Sequence, residues 1–435
     1  MKALLVSVNR ERLPQPVIPL GVLSVAGALR ERHETRVLDL CFEDDPARAL
    51  RQAIAGFAPQ LVGLGIRNLH TNAYDGTGPL IDEYASLARV VREATRAPLV
   101  IGGSGFSLRP ESLLARLGGD HGVVGEGERA LAFLAGELED GRTPPRLVHG
   151  AAAKAEPLAL RTTALASDLD ALPLPARDLV DPRYLALDGT EAIQTKRGCA
   201  FSCAYCDYPD LEGNKVRVRD PERVARDVVD AAARGARHVF FVDSVFNVPR
   251  SHALALCEAL ERAGAVLPWV CYATPRGLDD EVVSAMARAG CVGAEIGTDT
   301  GTEASLVRLR KPFTLAHVAS ARAAFARHGL ADCHTFVLGA EGETLDEVRK
   351  TLAFVDALDP DVAVFIAFME DRESVGVTRA PERDAILALL AEEAPKRAGW
   401  VVPELGIRFG GKLARMLARA NRPGPSWLSL ARSRR

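Results

Sequence analysis

Apolar runs alternate with segments of helical periodicity from the start of the chain. Ala3 to Val8 reads as a strand, Leu20 to Arg32 as a helix, Arg36 to Leu40 as a strand and Pro46 to Gly56 as a helix. The alternation continues through strand Leu61 to Ile66, helix Ile81 to Thr95, strand Pro98 to Ile101, helix Glu111 to Leu117, strand His121 to Val124 and helix Glu128 to Glu139. Short apolar strands separated by helices predict a doubly wound parallel α/β sheet, a Rossmann-like domain over residues 1–150. Such sheets bind ligands at the carboxyl ends of their strands, and glycine concentrates there: Gly102, Gly103 and Gly105 with Ser104 after the fourth strand, Gly125 and Gly127 around Glu126 after the fifth.

Residues 151–190 are rich in Ala, Leu and Pro, and Asp168 to Pro175 reads as an extended surface linker. Beyond it, six strand candidates alternate with helices: Glu191 to Gln194, Arg237 to Asp243, Leu267 to Ala273, Gly293 to Gly297, Asp332 to Leu338 and Asp361 to Phe368. One intervening helix carries an apolar stripe of Val224, Val228, Val229 and Ala232. Six repeats are too few for a closed eight-stranded barrel. In residues 371–435, Arg379 to Ala394 and Gly411 to Ala420 look helical, with Trp400, Pro403 and Phe409 between them.

Composition narrows the class. The 435 residues are 48% hydrophobic and carry a net charge of −3, so nothing electrostatic points to nucleic acid or an anionic membrane as partner. No uninterrupted apolar run approaches the roughly 18 residues of a membrane span. The opening Met-Lys-Ala-Leu-Leu-Val-Ser-Val is broken by Asn9-Arg10-Glu11-Arg12, which suits a first strand rather than a leader, and a cytoplasmic location is expected.

Eight cysteines, three of them clustered, fit a reducing compartment with a metal centre better than a disulfide framework. Cys199, Cys203 and Cys206 stand at Cys-x3-Cys-x2-Cys spacing after a strand end. A cubane [4Fe–4S] cluster takes four thiolates, so a loop offering three leaves one iron open. The alternatives are a zinc site or three unrelated buried cysteines. Zinc wants a second ligand pair, and His238 and His252 fall inside a predicted strand and helix. Cys257, Cys271, Cys291 and Cys333 also lie within predicted elements and read as core, while Cys41 ends a strand.

With Tyr205 just before its last cysteine, this loop resembles that of the radical S-adenosylmethionine enzymes. The resemblance makes Cys199, Cys203 and Cys206 cluster ligands, the open iron the site that chelates S-adenosylmethionine, and the six repeats a partial (β/α)6 barrel over residues 191–370. Residues 1–150 resemble the cobalamin-binding domain of the B12-dependent class, in which segments like Ile-Gly-Gly-Ser-Gly-Phe-Ser (101–107) and Gly-Glu-Gly-Glu (125–128) line the cofactor. The Asp-x-His-x-x-Gly motif that supplies a lower axial histidine in some cobalamin proteins is absent. The loop after the third strand reads Ile66-Arg67-Asn68-Leu69-His70 instead. An arginine is a poor metal ligand, so Arg67 facing cobalt would leave the lower position empty or to water, with His70 as rival ligand.

Further site residues follow from the same resemblance. Asp243, with Ser244 and Asn247, ends the second barrel strand, and Tyr272 and Thr274 end the third. Asp299 stands where many relatives use an acid on the ribose hydroxyls. Tyr208 and Tyr272 are candidates to touch substrate, Arg310 and Lys311 read as a solvated pair with contact to the cosubstrate carboxylate as the alternative, and Thr344 reads as a helix cap. The C-terminal region is expected to be a short helical cap over the barrel mouth, excluding water and oxygen.

Gly-Ile-Arg-Asn at 65–68, Val-Arg-Asp-Pro-Glu-Arg-Val at 218–224 and Ala-Gly-Cys-Val-Gly at 289–293 bring the chain nearest to the tryptophan 2-C-methyltransferase group. The implied activity is a cobalamin-dependent radical S-adenosylmethionine methyltransferase acting on an unactivated carbon of a small metabolite or peptide, with an indole or tryptophan-like substrate as one candidate. A reductant such as flavodoxin or ferredoxin is the implied partner. The alternatives are a radical enzyme that does not methylate (rearrangement, cyclisation or aminocarboxypropyl transfer) and a binding protein whose cluster senses redox state.

Overall fold

The computed structural model describes residues 1–12, 15–70, 80–150, 168–264, 266–372, 376–379, 382–408 and 422–434. The first domain is a six-stranded parallel sheet of β1 (Lys2–Ser7), β2 (Glu34–Asp39), β3 (Leu61–Gly65), β4 (Leu99–Gly102), β5 (His121–Val124) and β6 (Leu147–His149), in the order β2-β1-β3-β4-β5-β6. The last strand is one more than the pattern predicts; three residues are too short a run to stand out.

Alternate side chains of each central strand enter two separate cores, as a period of two requires. Leu4 and Val6 of β1 pack with Ile54, Phe57 and Leu87 beneath helices Pro46–Phe57 and Ile81–Ala94. Ala3 and Leu5 pack with Ala26, Leu131 and Leu134 beneath helices Leu20–Leu29 and Gly127–Glu139. The strand order reverses between β1 and β3, which opens a crevice at their carboxyl ends, where Ile66 and Arg67 leave the sheet.

The expected linker is not a free surface strap. Ala176 donates its N–H to the Leu23 carbonyl, Tyr184 donates to Asp39 at 2.7 Å, and Leu169, Ala176 and Tyr184 are buried. The carbonyl of Leu174 lies so close to Gly27 that a Cβ there would sit 2.1 Å from it. Apolar residues spaced along a Pro-rich segment found a groove on the first domain, a tertiary contact that no local pattern announces.

The second sheet begins at β7 (Thr190–Ile193). A two-residue antiparallel pairing of β8 (Lys196–Arg197) with β9 (Arg217–Val218) closes the base of the cysteine loop. The sheet then continues through β10 (His238–Phe241), β11 (Trp269–Ala273), β12 (Cys291–Asp299), β13 (Ala331–Leu338) and β14 (Val362–Ala367), all parallel. These are the six predicted strands. Helix Pro221–Ala233 shows why the outer layer forms: Asp220 caps it by accepting from the N–H of Glu222 and Arg223, Pro221 opens its first turn, and Val224, Ala225, Val228 and Ala231 are buried. Val229, expected in the stripe, is 40% exposed, because it lies too far round the helix from Val228 to share its face.

The C-terminal region differs from the expected cap. After the hairpin β15 (Met369–Arg372) and β16 (Gly376–Arg379) comes helix Arg383–Glu393, as predicted, and then β17 (Trp400–Val401), which pairs parallel with β14 as a seventh strand. The predicted helix Gly411 to Ala420 lies outside the described residues. The last described helix, Ser426–Arg434, does not cover the mouth. Trp427, Leu428 and Ala431 pack against Phe240, Val270, Ala331 and Val401 on the inward faces of the strands, near their amino ends. Its apolar residues fill the hole an open barrel leaves beneath its active end, so it forms a floor. No helix among the described residues is long and apolar enough to cross a membrane.

Candidate active site

The cysteine loop is braced on both sides by buried polar groups. Beneath it, Asp243 accepts from Thr195 N–H at 2.7 Å, Thr195 Oγ1 at 2.6 Å and Lys196 N–H at 3.2 Å, and pairs with Lys196 Nζ at 3.7 Å. Burial pushes the Asp243 carboxyl up while Lys196 works against it. The residue has no exposed surface, so its place is under the loop and not at a ligand. Gly198 follows at φ +87°, where a Cβ would lie 2.3 Å from the Lys215 carbonyl, so only glycine lets the two ends of the loop approach.

On the far side, the Tyr205 hydroxyl donates to Asp299 Oδ1 at 2.9 Å and accepts from Lys311 Nζ at 3.0 Å; Lys311 also pairs with Asp299. Ala204 N–H reaches the Leu309 carbonyl at 3.0 Å. Lys311 is therefore not the solvated residue the sequence suggested. Its side chain is 8% exposed, and two acceptors compensate its burial, whereas Arg310 stays exposed. A register shift in β12 between Gly297 and Asp299 turns Asp299 toward Tyr205, at φ +65°.

Between these braces Cys199 is buried, and Cys203 and Cys206 are partly buried; all three are free thiols. Burial pushes the Cys203 thiol up, with the Lys311 cation opposing. Among the described residues no three Cys, His, Asp or Glu side chains converge on a single ion. Three soft donors on one braced loop suit a cluster, which spreads its thiolates over separate iron corners. Cys41, Cys257, Cys271, Cys291 and Cys333 are buried in the cores.

In the first domain the glycines let backbone meet backbone. Gly103, at φ +103°, would place a Cβ 2.3 Å from the Ile66 carbonyl oxygen, and Gly105 would place one 2.9 Å from that of Arg67. Ser104 Oγ donates to the Arg67 carbonyl at 3.0 Å. The Gly102–Gly105 turn thus presses on the loop after β3 and fixes where Arg67 leaves it. At the second glycine pair, Gly125 N–H donates to Ser107 Oγ, and Glu126 is committed across the domain boundary, to Arg217 Nη2 at 2.5 Å and Arg197 Nη1 at 3.5 Å. Glu128 pairs with Arg197 at 2.5 Å beside it.

The candidate side chains that remain open come together. Arg67 is exposed at the carboxyl end of β3, and its charge acts on the phenols of both Tyr208 and Tyr272. Tyr208 begins helix Tyr208–Glu212, which packs on helix Ser104–Leu108 of the first domain. Burial, then Glu212, pushes its phenol up to about 12. Tyr208 and Tyr272 are each 39% exposed. The helix contact and these charges bring the carboxyl end of the first sheet up to the cysteine loop of the second. The sequence reading gives Lys311 a solvated place and does not single out Glu295 inside the barrel. For Glu295 the signal was present, since an acid interrupts the apolar strand Cys-Val-Gly-Ala-Glu-Ile-Gly.

Comparison with known proteins agrees with this arrangement. Residues 193–355 match the Radical SAM superfamily, and residues 6–135 match the B12 binding domain. The chain is 27% identical over 425 residues to tryptophan 2-C-methyltransferase from Streptomyces laurentii, covering 82% of this chain and 71% of that one. The radical S-adenosylmethionine methyltransferase TsrM from Kitasatospora setae, solved with cobalamin and a [4Fe–4S] cluster bound, is 27% identical, with a TM-score of 0.74 over 84% of this chain and 72% of its own. A second structure of that enzyme, with tryptophan substrate and an S-adenosylmethionine analogue bound, has the same fold, with a TM-score of 0.83 over 100% of this chain and 98% of its own at 23% identity.

Proposed function

We propose, from the premise that this chain belongs to the radical S-adenosylmethionine enzymes with a B12-binding domain and is a cobalamin-dependent methyltransferase, that it methylates an unactivated carbon of a small, indole-like metabolite. When bound, the [4Fe–4S] cluster offers an open iron for S-adenosylmethionine, and cobalamin supplies a methyl carrier. Cys199, Cys203 and Cys206 would hold the cluster, and the backbone of Gly102–Gly105 and of Gly125 and Gly127 would line the cobalamin. Arg67 would lie beside the bound cobalamin without coordinating it, because a guanidinium has no free lone pair to give. Tyr208 and Tyr272 flank the substrate and shed water from it.

What supports the reading is the packing of helix Tyr208–Glu212 on helix Ser104–Leu108 of the first domain beside the braced cysteine loop, with the Arg67 charge acting on the phenols of Tyr208 and Tyr272. The indole-like substrate rests on what the relatives act on. The non-methylating alternative has no structural feature in its favour. A flavodoxin or ferredoxin as reductant and a cytoplasmic location complete the proposal.

The test is anaerobic reconstitution with iron, sulfide and hydroxocobalamin, then reaction with S-adenosylmethionine and a reductant. About four irons and one cobalt per chain, with S-adenosylhomocysteine as product, are expected. Iron without cobalt, with methylthioadenosine or 5′-deoxyadenosine as the sole nucleoside product, would overturn it.

A further inference from the structure

The inward face of β12 carries Gly293, Glu295 and Gly297 in succession, and each does something different. A Cβ on Gly293 would lie 2.9 Å from the Trp427 ring, so its absence admits that indole into the barrel floor. Trp427 Nε1 then donates to Glu295 Oε1 at 2.7 Å. At Gly297 nothing among the described residues stands within 4 Å of where a side chain would begin, so among these residues the barrel is open directly above the carboxylate. Tyr272 lies opposite Glu295 in the register of β11 and is 39% exposed, on the inward face of a central strand. On the other side Glu295 faces Cys333 of β13, which is 1% exposed.

Glu295 thus stands where a dry floor of Val270, Ala331 and Trp427 gives way to an open chamber. No donor among the described residues reaches its second oxygen. Burial, only partly opposed by the Trp427 hydrogen bond, pushes its carboxyl up to about 7. A carboxylate at such a depth with one hydrogen bond is costly, and a donor arriving from the chamber removes that cost. Tyr272 offers a flat ring beside it on which an aromatic ligand can lie.

We propose that Glu295 is the recognition point of the substrate chamber, accepting an N–H group of a small aromatic substrate on Oε2 while Trp427 fixes the carboxylate from below. This rests on reading the barrel mouth as the substrate site. Glu295 is then a specificity determinant: it selects a substrate with a nitrogen donor over an isostere that lacks one, because the isostere leaves the acid unpaired. It acts on the ground-state complex and not on the reacting carbon.

The test uses the reconstituted full chain and calorimetric binding of L-tryptophan, 1-methyl-L-tryptophan, indole-3-propionate, indole and benzofuran. Wild-type protein is expected to bind at least one N–H compound about 10- to 100-fold more tightly than its isostere, as a hydrogen bond to a charged group allows. The pair that differs identifies the nitrogen. Glu295→Leu is expected to abolish that difference. Glu295→Gln, which keeps an acceptor for Trp427 and guards against misfolding, is expected to retain it for a neutral N–H and lose it for an ammonium. Discrimination that survives in Glu295→Leu, or wild-type protein that binds no compound of the set, overturns the proposal. Methyl transfer is followed separately as S-adenosylhomocysteine. Loss of Glu295-dependent binding with methyl transfer intact sinks this proposal alone, and binding without methyl transfer sinks the methyltransferase reading alone.

Discussion

Replacing Glu295 by Gln should make the ligand-free protein more stable at pH 8, although it removes an ionisable group from an active site. The acid titrates near 7 in the fold against 4.5 for an ordinary glutamate, the difference arising from burial. Because its folded-state pKa is raised, the native chain holds a proton that the unfolded chain gives up, so stability falls as pH rises from about 4.5 to about 7. At about 1.4 kcal/mol per unit, the ionised form weakens the fold by up to about 3 kcal/mol, and by about 1 to 2 kcal/mol once its partial exposure to the chamber is allowed for. Tyr272 and Cys333, which face it, have pKa values raised well above their ordinary ones and stay neutral throughout this range. Glutamine mimics the protonated acid and still accepts from Trp427. Urea midpoints of wild type and variant, followed by tryptophan fluorescence, should separate at pH 8 and converge near pH 4.5. A variant that is less stable at pH 8, or equally shifted at both pH values, would refute the buried, singly bonded carboxylate.

Four further substitutions have definite expected outcomes. Gly103→Ala places a methyl carbon 2.3 Å from the Ile66 carbonyl at a φ of +103°, and should cost about 3 kcal/mol or more and lower cobalamin uptake by difference spectra. Gly56→Ala, with open space at the end of its helix, should instead gain up to about 1 kcal/mol; equal melting shifts for the two would remove the argument. Lys311→Met strips the cation from Asp299 and Tyr205, so iron retained per chain after reconstitution should fall while cobalt does not; unchanged iron would show that the brace is dispensable. At Glu128, burial favours the neutral acid but the Arg197 guanidinium outweighs it and holds the carboxyl below the usual range. Its contribution is present above about pH 4.5 and lost as pH falls further, so Glu128→Gln, costing about 3 kcal/mol at neutral pH, should lose less on acidification than wild type, as read by melting at pH 3.5 and 7.

What could be read from the chain alone follows the range of the interactions involved. The strands and helices of both sheets announce themselves because each buries a periodic apolar face, and the cysteine loop because three cysteines fall within eight residues. Arg67, Tyr208 and Tyr272 stand out in the sequence as strand-end or loop-adjacent candidates. The Asp299, Lys311 and Tyr205 brace joins positions about a hundred residues apart, so no local pattern holds it. Asp243 illustrates the converse: a polar residue at a barrel strand end reads as a cofactor contact, yet the neighbouring Thr195 and Lys196 donors draw it under the loop. The floor helix Ser426–Arg434 is not among the predicted helices, and the expected cap gives no hint of it, since Trp427, Leu428 and Ala431 offer an apolar face without declaring which end of the barrel it fills.

That floor has a consequence for how the molecule is made. Helix Ser426–Arg434 follows every barrel strand in the chain, and Ser426 N–H reaches back to Gln15 Oε1 at 3.2 Å, across 411 residues. During synthesis the walls therefore emerge from the ribosome well before the piece that seals them. Until that piece arrives, Phe240, Val270 and Val401 face water inside an open ring, a sticky surface that invites chaperones or a wrong neighbour. Beyond that Gln15 contact, the two cores of the first domain contain no residue of this helix, so that domain can fold early and the two halves of this protein mature on different clocks.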